Sequence, residues 1–97
     1  MEKDIEITEV IFRKDNSGVF AIFPYEIHNS HFITTYQHVG QHSSGDYDYC
    51  MKSSKPATEE EYIDLFDELK SIGYDLKIIK KRNYNKYLKE YYDNNKM

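Results

Sequence analysis

The chain has no tryptophan, one cysteine, two prolines and four glycines in 97 residues, and each scarcity excludes something. A single thiol, Cys50, cannot close an internal disulfide. A small secreted domain would carry several, so a reducing, cytoplasmic setting is the expectation. The glycines Gly18, Gly40, Gly45 and Gly73 are isolated from one another, so no glycine-rich loop can cradle a phosphate and no cofactor is expected. No apolar run approaches the roughly 18–20 residues of a membrane span. The opening Met1-Glu2-Lys3-Asp4 is acidic and runs into a strand pattern, unlike a secretory signal.

What the chain has in excess is tyrosine, with ten, and a local density of histidine. His28, His31, His38 and His42 all lie within one short stretch. Length allows one domain, whose core buries only a little over about 60 % of the unfolded surface. Residues 1–73 carry 6 basic and 14 acidic side chains (net −8), whereas residues 74–97 carry 7 basic and 3 acidic (net +4). The total of −4 is too small for an acidic mimic of DNA and too negative for a general nucleic-acid binder. Any contact with nucleic acid must use the C-terminal quarter.

Periodicity gives the elements. Ile5 to Lys14 alternates as a partly exposed strand, Asp15-Asn16-Ser17-Gly18 is a hairpin turn, and the apolar run Val19 to Phe23 is a central strand ended by Pro24. A connection over Tyr25 to Ser30 leads to a third strand, His31 to Val39, broken at Gly40. Ser43-Ser44-Gly45 reads as a loop and Asp46 to Lys52 as a fourth strand, with Tyr47, Tyr49 and Met51 on one face and Cys50 half-buried. Thr58-x-x-Glu61 is a capping box that opens a helix whose stripe is Tyr62, Leu65, Phe66, Leu69 and Ile72, ended by Gly73. A last strand, Tyr74 to Lys81, precedes a weaker helical stripe at Tyr84, Tyr87, Leu88 and Tyr91.

The fold class is therefore α+β, in the order β-β-β-β-α-β-α. An antiparallel sheet of four or five strands carries the main helix on one face, and a short C-terminal helix docks at an edge or extends away. Residues 1–82 form the domain and 83–97 a helical extension. The other sheet face, left bare and rich in tyrosine, is suited to contacts, including a homodimer.

Three sets of residues could carry chemistry. The densest is Tyr36-Gln37-His38-Val39-Gly40-Gln41-His42 with Asp46, Tyr47 and Asp48. As a recognition surface it would offer His38, Gln41 and His42 as hydrogen-bonding groups and Tyr36 and Tyr47 as flat apolar contacts. As a catalytic or metal site it would use His38 and His42 as ligands or an acid–base pair, with Asp46 or Asp48 as the third group. His28 and His31 fall at the opposite end of a meander and read as exposed turn residues. Finally Lys80, Lys81, Arg82 and Tyr84 open a basic segment interleaved with rings, a mixture that neutralises phosphates and stacks on bases.

The segments Val10-Ile11-Phe12-Arg13-Lys14, Ala21-Ile22-Phe23-Pro24 and Tyr36-Gln37-His38-Val39-Gly40-Gln41-His42 together resemble a set of small proteins of bacteriophages and integrated mobile elements. Lys55-Pro56-Ala57-Thr58, Glu61-Tyr62 and Ile72-Gly73-Tyr74 fit the same outline, which spans Val10 to Arg82. No activity is assigned to that set, so the resemblance transfers no catalytic residue. It implies a setting: an accessory protein acting on a host (defence) protein or binding a ligand. The expectation is a non-enzymatic binding protein, with a small metal- or histidine-dependent phosphodiester or nucleotide hydrolase as the second reading. Nucleic-acid binding through the basic segment is the third.

Overall fold

The computed structural model describes residues 7–27, 32–37 and 41–94, with the backbone alone for Gln41 and Asn94. Strand β1 (Thr8–Asp15) turns through Asn16 and Ser17 into β2 (Gly18–Ile27), and the Asp15 carboxylate holds the turn by accepting the Ser17 N–H at 2.8 Å. Strands β3 (Phe32–Gln37) and β4 (Gln41–Asp46) add successively to β2 in antiparallel register. Helix α1 (Tyr47–Lys52) and the two-residue β5 (Lys55–Pro56) lead to helix α2 (Glu59–Ser71), then β6 (Leu76–Ile78) and helix α3 (Tyr84–Asn94). The sheet order is β4-β3-β2-β1-β5. The outer side of β1 is shared: β5 pairs with it antiparallel at Arg13 and Lys14, and β6 parallel at Thr8 to Val10. The α+β architecture read from the sequence is the one observed.

Pleating sorts the central strands into two apolar faces. Val10, Phe12, Ala21, Phe23 and Tyr36 point to one side and pack under Leu65 and Leu69 of α2, with Phe12 stacked on Tyr62 at 4.5 Å. Ile11, Phe20, Ile22 and Ile33 point to the other, where Tyr47 of α1 and Tyr87 of α3 cover them. The second face is therefore not bare, and α3 lies across it rather than at an edge. The tyrosine-rich surface expected there is core.

Several boundaries differ from the sequence reading, and the last strand, expected over Tyr74 to Lys81, is only Leu76–Ile78. Pro24 does not end its strand: the β2–β3 register shifts between Phe23 and Ile27, and this irregularity admits a buried residue with no N–H to donate. Ser43-Ser44-Gly45 is not a loop but the middle of β4, paired with Thr35, Thr34 and Ile33. Asp46 to Lys52 is not a strand. Asp46 caps α1 by accepting the Tyr49 N–H at 3.0 Å, and Tyr47, Cys50 and Met51 fall on one helical face. Over so few residues the same apolar positions satisfy a period of 2 and one of 3.6. Gly45 lets β4 and α1 approach closely, since a Cβ there would stand 3.1 Å from the Cys50 sulfur.

Helix α2 follows its sequence signals. The Thr58 N–H donates to Glu61 Oε1 at 2.8 Å, and the Glu61 N–H to Thr58 Oγ1 at 3.3 Å. At the other end Gly73 takes φ 114°, and the N–H groups of Gly73 and Tyr74 close on Lys70 and Leu69 carbonyls. Ile72 departs from the expected stripe and is exposed. Among the described residues no helix is long and apolar enough to cross a membrane.

Two outcomes check this account. Tyr87→Ala opens a cavity under α3 and is expected to destabilise the domain by about 3 kcal/mol. Tyr92→Ala, on the exposed side of the same helix, should stay within about 0.5 kcal/mol of wild type in urea unfolding. Glu61 supplies the second. The hydrogen bond from Lys14, then that from the Thr58 N–H, hold its carboxyl below the ordinary range. Its stabilisation is thus present above the unfolded carboxyl pKa and lost as pH falls through the lowered one. Glu61→Gln should flatten that acidic limb of a stability-against-pH curve.

Candidate functional site

Among the described residues, His42, Asp46 and Asp48 do not converge. His42 on β4 sits opposite Tyr36 on β3, its ring meeting the tyrosine edge-on with centroids 4.6 Å apart, and its Nε2 lies 3.1 Å from the Tyr74 hydroxyl. Tyr36 itself is 1 % exposed, and its hydroxyl donates to the Glu68 carboxylate of α2. The Tyr74 hydroxyl is pushed above its ordinary pKa by burial and by the Glu26 charge, so it remains a neutral partner for His42. His42 is thereby an exposed residue on the rim of the α2-side core.

Asp46, on the same strand, has its carboxylate engaged as the α1 cap. Asp48 is on α1, which covers the opposite face of the sheet from His42. Among the described residues no three histidine, cysteine, aspartate or glutamate side chains converge on a common point that could hold a metal. His28, His31 and His38 lie outside the described residues, as does the side chain of Gln41. Tyr36 and Tyr47, expected at the contact surface, are instead buried, on opposite faces of the sheet.

Cys50 is half-buried, as expected, though on a helix. Desolvation, followed by the charges of Asp46 and Asp15, raises its thiol pKa. The population of thiolate at neutral pH is correspondingly lowered.

The basic segment does assemble around Arg82. The Arg82 guanidinium lies between the rings of Tyr47 and Tyr87, with its carbon 4.0 and 3.9 Å from the two centroids. The backbone fixes this: the Arg82 N–H donates to the Tyr47 hydroxyl at 2.9 Å and the Asn83 N–H to that of Tyr25 at 2.7 Å. Asn83 then starts α3 by accepting the Lys86 N–H on its side chain at 3.0 Å. Lys86 reaches back to Glu9 at 2.9 Å, a contact that raises its pKa and ties α3 to β1. Beside Arg82 stands Tyr84, 60 % exposed, its ring centroid 6.0 Å from the guanidinium carbon.

Tyr47, Asp48, Lys81, Arg82, Asn83, Tyr84 and Asn85 line one open depression of about 570 Å³. Lys80 lines a different one, with Pro56 and Ile79. Of the four residues grouped from the sequence, Lys81, Arg82 and Tyr84 line one depression and Lys80 another. Sequence reasoning missed Tyr47 as the other half of the clamp, because that contact spans 35 positions and has no local signal. It also missed a depression of about 530 Å³ beside the first turn, where Lys14, Lys52 and Lys55 meet the exposed Tyr49.

The raised thiol pKa makes a direct prediction. Alkylation of Cys50 by iodoacetamide in the folded protein should be slow near pH 7 and still accelerating above pH 9, beyond the ordinary range of a free thiol. A plateau below pH 8 would contradict the environment described. Compared with protein-family models, with curated proteins and with solved structures, the chain matches none.

Proposed function

We propose that this is a non-enzymatic binding protein that engages a host macromolecule through the surface where α1 meets the start of α3. The setting, an accessory protein of a bacteriophage or mobile element, rests on the resemblance of the Val10–Arg82 pattern. The observation that carries the binding reading is how the polar side chains are used. His42, Asp46 and Glu68 are engaged by Tyr74, by the α1 backbone and by Tyr36. At the Arg82 depression the Tyr84 ring and Lys81 are exposed. Recognition needs such a rigid exposed set, whereas acid–base or metal chemistry needs convergent titratable groups.

Affinity capture from host lysate with the full chain tests this. The retained partner should be released by a Tyr84→Ala/Lys81→Glu double variant and kept by His42→Ala. Phosphodiester or nucleotide hydrolysis by the pure protein, abolished by His42→Ala, would replace binding with catalysis.

A further inference from the structure

We infer that the Arg82 depression takes a single-stranded nucleic acid, with a backbone phosphate on the guanidinium edge and a base on the Tyr84 ring; this rests on the binding reading above. The geometry of Arg82 is the starting point. With tyrosine rings on either side, its guanidinium offers only its N–H edge, and among the described residues no hydrogen bond or ion pair engages that edge. A planar, pre-ordered fork of donors matches a phosphate or carboxylate and loses little side-chain entropy on binding. Lys81 adds a second cation on the rim, against one carboxylate, Asp48.

Two further features select nucleic acid over an acidic peptide. Tyr84 presents its ring to solvent at the outer end of a stack that continues through Tyr87 and Tyr91, with centroids 6.2 and 6.3 Å apart. A peptide carboxylate would use the cations and leave that ring without a partner, whereas every base has a face to lay on it. Asn85 brings an amide to the same rim, a donor and acceptor of the kind that reads base edges, and Asn83 adds the N–H donors of its amide, its oxygen being the α3 cap. The depression is open and built on one helix start and one short helix, a shape for a flexible single strand rather than for a duplex groove.

The test is fluorescence anisotropy of labelled oligothymidylate and oligouridylate with the full chain, between about 50 and 200 mM salt. Affinity should fall as salt rises. Tyr84→Ala should weaken binding about tenfold, the effect of one lost stack. Lys81→Ala should lower the salt slope by about one phosphate contact. Asp48→Asn should tighten binding, a gain that a folding defect cannot mimic. Arg82→Gln is read beside its urea midpoint, because the side chain also packs between two rings. Absence of salt-dependent binding, or equal affinity in wild type and Tyr84→Ala, overturns the inference. So does tighter binding of a poly-glutamate peptide than of either oligonucleotide. In that last case, or when lysate capture still depends on Tyr84 and Lys81, the binding reading stands while its ligand is a protein.

Discussion

The central strand pair has no polar face. Val10 and Phe12 alternate with Ile11 along β1, Ala21 and Phe23 with Phe20 and Ile22 along β2, and all seven are buried. A sheet whose middle is apolar on both sides must be covered twice. In a chain this short, α2 covers one face, and the remaining segments, α1 and α3, must share the other. The position of every other element follows from that requirement. It also dictates where the tyrosines go: Tyr47 and Tyr87 close the second face, and their ring faces hold the Arg82 guanidinium at its margin.

The same requirement separates the parts of the fold that were legible in sequence from those that were not. The first hairpin and α2 carry their instructions locally, in an Asp-Asn-Ser-Gly turn and a Thr-x-x-Glu box, and both form where those signals stand. The region from Gln41 to Lys52 carries weak local signals. Gln-His-Ser-Ser-Gly-Asp has little preference for a strand and is held as one by its ladder to β3, and Tyr47-Asp48-Tyr49-Cys50-Met51 fits either period. There tertiary packing decides, through the need for a lid over Ile11 and Ile33.

The candidate surface divides in the same way. That Lys81, Arg82 and Tyr84 belong together is visible because they are near neighbours in the chain. That Tyr36 and Tyr47 are core is invisible, since a tyrosine at alternating positions reads alike whether its face is covered or open. The hydroxyls account for their tolerance of burial. Tyr36 donates to Glu68, while Tyr47 and Tyr25 each accept a backbone N–H at the entry to α3. Three of the ten tyrosines thus act as struts, each joining two elements distant in sequence.

The divided outer side of β1 bears on how copies of this chain meet. A sheet grows when a free strand edge offers an unbroken row of backbone donors and acceptors to a newcomer. On that side, two short strands of opposite direction occupy the row, one at each end, so an arriving strand of either polarity would have to displace one of them. The far side ends in Gln41 to Asp46, six residues of mostly small polar character with weak intrinsic preference for pairing, leading directly into a capped helix. Polymerisation through the sheet is thereby discouraged at both margins by different means, occupancy at one and poor composition at the other.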